Sequence, residues 1–236
     1  MRKYNSPIAI IIGLISFAMI FTFVHLLHNF VLHCESQFLK QIILKTSLAV
    51  FSVVVGYYVF KIPFKSFSLN YNQKKVRQSK YILTAGFLGT LATLTMLVFK
   101  LPPMPITQSL SPLQIIIVVW IFSTIGEEIF CRGFIQGLVK NDLQGFSVAG
   151  IQISGAVFAS ALAFGLMHST VFLMGGSPFT AITIICYTFL LGLVCGKIKE
   201  QNGLRSAIWV HLAFNVGGML TGIIIKLTMM VLNGHP

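Results

Sequence analysis

Long apolar stretches separated by short polar segments run along the whole chain. Seven of them are each about as long as the 20 or so residues that a helix needs to cross a bilayer; they are 7–32, 42–60, 81–99, 113–138, 148–167, 179–196 and 204–232. The last stretch carries Gly217 and Gly218 near its middle, so it can form two short helices or one long kinked helix. The pattern predicts an all-α, polytopic transmembrane bundle of seven or eight helices.

The composition agrees with this class. Hydrophobic residues make up 56% of the 236 and charged residues only 9%, which lies outside the usual mix of a soluble domain. One compositional break, the basic segment 61–80, separates an N-terminal two-helix portion, 1–60, from a C-terminal core, 81–236. We expect this core to hold all the polar chemistry that lies within the membrane.

A net charge of +12 is compatible with nucleic-acid binding, but the positions of the basic residues indicate membrane topology instead. The basic residues cluster at connections that alternate along the chain: Lys61, Lys65, Lys74, Lys75, Arg77, Lys80, Lys140, Lys197, Lys199 and Arg205. The other connections carry Lys40, Lys45 and Lys100. The positive-inside rule makes the basic side cytoplasmic, together with the N-terminus. We predict a multi-pass protein of a bacterial plasma membrane with no nucleic-acid partner; an anionic-lipid site in 61–80 is the alternative reading of that cluster.

Two adjacent glutamates, Glu127 and Glu128, lie inside the fourth apolar stretch. An ionised carboxylate in the middle of a bilayer costs several kcal/mol, so it needs a partner or a function. Arg132 follows Glu128 by four residues, the spacing at which two helical side chains meet, whereas Glu127 points about 100° away. We expect Glu127 to lack a compensating charge and to suit proton abstraction from water. A packing network in which both glutamates share Arg132 is the alternative.

Two later stretches carry histidines. His168 ends the fifth stretch, and Phe164 precedes it by one turn, where an aromatic ring can hold the imidazole. His211 and Asn215 are also four residues apart and share one helical face. Each feature alone has a structural reading, as an interfacial histidine or as a pair that joins membrane helices. Together with Glu127 they supply a base, two imidazoles and a neutral donor, which is the set that peptide hydrolysis requires.

These segments resemble the motifs of a known family. Glu127-Glu128-Ile-Phe-Cys-Arg132 is similar to its EExxxR motif, Phe164 to His168 to its FxxxH motif, and His211 to Asn215 to its HxxxN motif. The family is CPBP, also called Abi, the CAAX-processing and bacteriocin-processing intramembrane proteases. The three motifs follow the family's order on separate stretches, between about 113 and 215.

The resemblance implies a glutamate-dependent peptidase of eight transmembrane helices, with a conical cavity that opens to the cytosol and with no cofactor or metal. It implies that Glu127 and His168 activate water and that His211 and Asn215 form the oxyanion hole, with Glu128, Arg132 and Phe164 in support. The segment 81–236 is then the protease core. One expectation conflicts with this: a fifth helix that enters from the cytosol at Val148 carries His168 roughly 30 Å, to the far face. A cytosolic opening requires that helix to start below the membrane, to tilt or to break.

Three other functions fit parts of the pattern. Two histidines and a glutamate can form a zinc peptidase site, although no HExxH sequence is present and the cysteines, Cys34, Cys131, Cys186 and Cys195, have no CxxC spacing. A membrane docking or bacteriocin-immunity protein could keep the polar core and act on a membrane protein partner. A transporter could use the same acids and histidines as a proton relay.

The expected substrate of a peptidase is a peptide precursor or a membrane-associated protein. The chain is short and rich in Ile, Lys and Phe, which indicates a bacterial member of the family. Prenylated CAAX proteins are therefore not expected as substrates.

Overall fold

The structure is a computed structural model that describes residues 4–27, 36–69, 76–103, 109–139, 145–148 and 151–232. Within these residues, seven helical spans are long and apolar enough to cross a membrane, which confirms the predicted all-α polytopic bundle. We number the helices α1 (Ser6–Leu26), α2 (Gln37–Tyr58), α3 (Ser79–Val98), α4 (Pro112–Leu138), α5 (Gly155–Met167), α6 (Thr170–Leu173), α7 (Pro178–Asn202) and α8 (Leu204–Leu232). The short α6 continues the span of α5. Cys34, Lys74, Lys75 and Lys140, used in the sequence predictions, lie outside the described residues.

Local signals set where several helices begin and end. Ser36 and Ser177 accept hydrogen bonds from backbone N–H groups three residues later, and Ser111 begins α4 with a reciprocal capping box to Gln114. α7 ends at Gly203, whose positive φ of 90° is favourable only for glycine. Because α8 begins at the next residue, α7 and α8 turn sharply against each other.

Successive spans run in opposite directions, so the bundle has two ends. At the N-terminal end, Tyr4 N–H donates to the carbonyl of Leu138 at 2.8 Å, which brings the start of the chain to the end of α4. The α7–α8 junction lies at this same end, since Asn202 Nδ2 donates to the carbonyl of Val76, just before α3, at 2.8 Å. We call the opposite end the far end. There Thr180, early in α7, donates to the carbonyl of Pro102, just after α3, at 3.2 Å.

Helix α4 crosses the middle of the bundle and is wound unevenly. Its segments Ile116–Ser123 and Ile129–Ile135 have the wide turns of a π-helix, and the regular stretch Thr124–Glu128 lies between them. Wide turns leave main-chain carbonyls available to side chains, and the carbonyl of Val119 accepts from Thr124 Oγ1 at 3.0 Å. Both glutamates of the pair therefore lie in the short regular stretch, close to this irregular backbone.

The region before α5 corrects one prediction. The fifth apolar stretch was expected to be helical from Val148, but strands β1 (Phe146–Val148) and β2 (Ile151–Ile153) form an antiparallel pair there, with Phe146 opposite Ile153. Helix α5 begins only at Gly155, where Ser154 caps it by accepting from Val157 N–H. His168 is therefore about 20 Å along this helix, at 1.5 Å per residue, instead of roughly 30 Å. The later start shortens the path to His168, but this residue still lies after the last residue of α5, at the far-end side of the helix.

The last stretch forms one continuous helix of 29 residues, α8, and not two short ones. Its glycines pack it closely against α3. A Cβ on Gly89 of α3 would overlap the carbonyl oxygen of Phe214, and a Cβ on Gly217 of α8 would overlap that of Gly86. Small residues at such crossings allow membrane helices to approach each other closely. This contact fixes the part of α8 that carries His211 and Asn215.

We expect Gly89→Ala to destabilise the protein and Gly222→Ala to leave it nearly unchanged. Both exchanges remove a helical glycine, but a Cβ on Gly222 has its nearest neighbour, a methyl of Thr93, at 3.9 Å. Overpacking a close contact typically costs about 1–3 kcal/mol. Thermal unfolding of the two purified variants in detergent measures the difference, and equal melting temperatures would show that the α3–α8 contact is not tight.

Candidate active site

Glu128 is completely buried and has two partners. Its Oε2 forms an ion pair with Arg132 Nε at 3.2 Å, which confirms the predicted pairing at four-residue spacing. Its Oε1 accepts a hydrogen bond from His211 Nδ1 at 2.9 Å. Arg132 is also completely buried. Glu128 therefore joins α4 to α8 and is not directed at the open space of the site.

Glu127 has a charge partner that was not predicted. Lys45 Nζ of α2 lies 2.6 Å from Glu127 Oε1, and Ser123 Oγ donates to the same oxygen at 2.6 Å. The expectation that Glu127 lacks a compensating charge is therefore wrong. The lysine comes from a helix 82 residues away in sequence, so it neutralises the carboxylate without using Arg132. The two glutamates have separate cations, and the alternative in which both share Arg132 does not hold.

His211 lies between the two carboxylates. While Nδ1 is bonded to Glu128, its Nε2 faces Glu127 Oε2 at 3.9 Å. This separation is too long for a direct hydrogen bond, and polar groups at such a distance are commonly bridged by a water or a ligand atom. Glu127 Oε2 and His211 Nε2 therefore form an opposed pair that one polar atom beside them can bridge.

His168 lies just after the last residue of α5 and is oriented by Phe164. Its Nδ1 lies 2.8 Å from the carbonyl oxygen of Phe164, and because a carbonyl can only accept, Nδ1 carries the proton. In the neutral ring Nε2 is then an acceptor. The Phe164 ring meets the His168 ring edge-on at 5.0 Å between centroids, as expected from the FxxxH spacing. The same ring meets His211 at 5.4 Å and lies 4.9 Å from the guanidinium carbon of Arg132.

Asn215 is directed at α4. Its Nδ2 donates to Thr124 Oγ1 at 3.0 Å and to the carbonyl of Val119 at 3.3 Å. Thr124 begins the regular stretch that holds Glu127, and Val119 lies in the wide turns before it. In this arrangement the carboxamide joins α8 to the segment that holds the glutamate.

A cavity of about 430 Å³ brings most of these groups together. Its wall includes Lys45, Glu127, His168, His211 and Asn215, and every one of the seven spans contributes to it. The rest of the wall is mainly apolar, which is typical of a site that binds a largely hydrophobic ligand and orients it with a few polar groups. Glu128 and Arg132 are not part of the wall, in agreement with a supporting position.

The described residues contain no group of three or more His, Cys, Asp and Glu side chains arranged to hold a metal ion. Cys131 and Cys195 are buried free thiols, whereas Cys186 is exposed on the surface of α7. The ligand arrangement that the zinc alternative needs is therefore not found in this part of the chain.

Sequence reasoning missed Lys45, Ser123 and Thr124. Lys45 was assigned to an outer connection, although it lies inside the second apolar stretch, 42–60, where an ionisable residue is itself a sign of function. It also shows that the C-terminal core does not hold all the polar chemistry within the membrane, as had been expected. No local spacing signals Ser123 or Thr124, because their roles depend on the wide turns of α4.

The fold and the site define a class: a polytopic membrane bundle with one glutamate and two histidines at an internal cavity and a second glutamate buried beside it. Residues 109–217 match the family model described as type II CAAX prenyl endopeptidase Rce1-like, in agreement with the resemblance to the CPBP family of CAAX proteases that the motifs indicate. The matched segment includes all seven predicted site residues but not Lys45, and it supports a membrane peptidase. No curated protein and no solved structure matches the chain.

We expect Lys45→Met to destabilise the fold, because it leaves the buried Glu127 carboxylate without its cation. Breaking a buried ion pair from one side costs about 3–5 kcal/mol. Adding Glu127→Gln removes the stranded charge, so the double variant should regain most of the lost melting temperature. Thermal unfolding of the two single variants and the double variant in detergent measures this coupling.

Lys40→Met serves as the matched control, since Lys40 lies on the same helix, bonded to His25 at 3.0 Å and outside the pair. This variant should melt close to the wild type. A double variant that is no more stable than Lys45→Met would mean that the ion pair is not the source of the loss.

Proposed function

We propose that the protein is an intramembrane endopeptidase in which Glu127 is the general base. The observation that carries this proposal is the opposed pair of Glu127 Oε2 and His211 Nε2, 3.9 Å apart at the wall of the cavity. A carboxylate and an imidazole that face the same cavity suit a water molecule and the carbonyl that it attacks.

Glu127 and His168 act on the water. Glu127 is ionised beside Lys45, and its Oε2 is not used by Lys45 or Ser123. His168 offers Nε2 as an acceptor because Nδ1 is committed to the Phe164 carbonyl. A water that donates one proton to each acceptor has a lone pair directed at a peptide carbon bound in the cavity. Glu127 takes the proton as the C–O bond forms and later delivers it to the leaving amine.

His211 and Asn215 act on the carbonyl oxygen. Glu128 accepts from His211 Nδ1 and fixes the ring, so Nε2 donates to the developing oxyanion once the ring, neutral at rest, has taken up a second proton from solvent. Asn215 Nδ2 is the second donor: one of its two hydrogen bonds to α4 is replaced by a hydrogen bond to the oxyanion. The Val119 carbonyl retains the Thr124 hydroxyl as a donor when this happens.

Glu128 and Arg132 support the site electrostatically. Their charges cancel, as do those of Glu127 and Lys45, so the resting site buries two carboxylates and two cations with no net charge. A site that is neutral at rest and rich in oriented donors stabilises the negative charge of the tetrahedral intermediate without large reorganisation.

The substrate proposed is a peptide precursor or a membrane-associated protein segment, in keeping with the mainly apolar wall. The Rce1-like family name refers to prenylated CAAX proteins, but the mechanism above requires only an extended peptide in the cavity. Comparative peptidomics of bacterial membranes that carry wild-type or Glu127→Ala protein identifies the substrate as peptides that accumulate uncleaved only in the variant.

We expect Glu127→Gln to abolish cleavage, with a loss of at least the 10²- to 10⁴-fold typical of a general base. Little folded protein should be lost, because Lys45 keeps some contact with the cavity, with 14% of its side chain exposed. Arg132→Ala should reduce the amount of folded protein as well, since it leaves Glu128 buried without its cation. Turnover of the identified substrate and the yield of folded protein are measured together. Near-normal turnover by Glu127→Gln would refute the assignment of the base.

We expect Asn215→Ala to lower kcat by about 10²- to 10³-fold with KM changed only a few-fold, as for the loss of one oxyanion donor. Thr124→Val is the matched comparison: it removes the Thr124 hydroxyl that Asn215 contacts but keeps the Asn215 amide. If Asn215 acts on the oxyanion, Thr124→Val has a much smaller effect on kcat. Equal losses in the two variants would make Asn215 a positioning residue for α4 instead of an oxyanion donor.

A further inference from the structure

The cavity lies towards the far end of the bundle. Most of its lining residues come from the second half of α1 and of α3 and from the first half of α2, of α4 and of α7, which are the parts nearer the far end. Five of the residues between Met167 and Met174, at the far-end side of α5, also line it. Glu127 thus lies at the inner floor of the cavity, near the middle of α4.

The N-terminal end is closed beneath this floor. Every side chain of α4 from Phe130 to Ile135 is buried, and Leu138 and Val139 after them are buried too. Aromatic rings fill this end: Phe134 meets Phe130 at 5.8 Å and Phe60 at 5.6 Å between centroids. The backbone hydrogen bond from Tyr4 N–H to the carbonyl of Leu138 holds the first described residue of the chain against this closed end.

A second hollow continues the cavity outward at the far end. It has a volume of about 510 Å³ and shares Phe21, Gln41, Leu44 and Met174 with the cavity, so the two spaces adjoin. Its wall includes Gln37 and Ser109, both exposed, and Leu173, which is 78% exposed. The route from the surface to Glu127 therefore runs through the far end.

The two ends differ in charge. At the N-terminal end, the described connections and helix ends carry Lys61, Lys65, Arg77, Lys80, Lys197, Lys199 and Arg205. Lys40, Lys100 and Lys226 lie nearer the far end. Basic residues of membrane proteins concentrate on the cytoplasmic side, so the closed end is the one whose charge suits the cytosol.

We infer that the site is reached from the extracytoplasmic face and cleaves a polypeptide segment presented from that side, such as part of an exported precursor. This inference rests on the proposed function for the chemistry and on the cavity and the charges for the direction. It differs from the cytosolic opening that the family resemblance implies. A peptide that is still wholly cytosolic meets the basic end, which the described residues close below Glu127.

The test is labelling of single cysteines in intact bacterial cells with a small, charged, membrane-impermeant thiol reagent. The background carries Cys34→Ser and Cys186→Ser and keeps the two buried thiols, Cys131 and Cys195. We expect Gln41→Cys, which lines both hollows, to be labelled in intact cells. Lys65→Cys, exposed at the N-terminal end, should be labelled only after the membrane is permeabilised. The mass shift of the purified protein measures the labelled fraction.

Gln37→Cys at the mouth of the outer hollow provides a second far-end position if Gln41→Cys folds poorly. Labelling of Lys65→Cys in intact cells, or of the far-end cysteines only after permeabilisation, would overturn the inference. A third result would also overturn it: Gln37→Cys is labelled in intact cells, but a folded Gln41→Cys is labelled neither before nor after permeabilisation. The cavity would then not be reached from the far end. Each variant is also labelled in the Glu127→Gln background. Labelling needs no turnover, so failure of the proposed chemistry would leave this result unchanged.

Discussion

The structure depends on the burial of two adjacent carboxylates in the middle of one apolar helix. Two negative charges side by side repel each other and lose their hydration, so each must be matched individually. The chain meets this constraint with cations from opposite directions: Arg132 from the next turn of α4, and Lys45 from α2. The two glutamates thereby acquire different surroundings. One is locked into the protein by a guanidinium and an imidazole, and the other borders the cavity.

This difference between the two glutamates explains which contacts of the site could be predicted from the sequence. The Glu128–Arg132 pair and the Phe164–His168 contact are local, because helical spacing alone brings residues four apart together. The pairing of Lys45 with Glu127 is not local, and nothing in the sequence around either residue indicates the other as its partner. Hydrophobic periodicity predicts that α2 exists but not which of its faces meets α4. The cation that balances the proposed base was therefore beyond any argument from motif spacing.

The same limit applies to backbone irregularities. The stretch 148–167 is apolar enough to be read as a full helix, but Gly155 preceded by the cap residue Ser154 starts the helix seven residues later, after a short strand pair. Conversely, Gly217 and Gly218 suggested a break, but α8 continues through them because α3 packs directly against their backbone. In a membrane bundle a glycine marks a close approach as often as a break, and only the neighbouring helix decides which.

The ring of Phe164 has a consequence for how the site can change state. One rigid side chain is in contact with His168, His211 and Arg132, which come from three different helices. A displacement of this ring therefore disturbs both imidazoles and the buried cation together. The three groups are coupled through one side chain, so a change that reaches the Phe164 ring reaches the whole polar site.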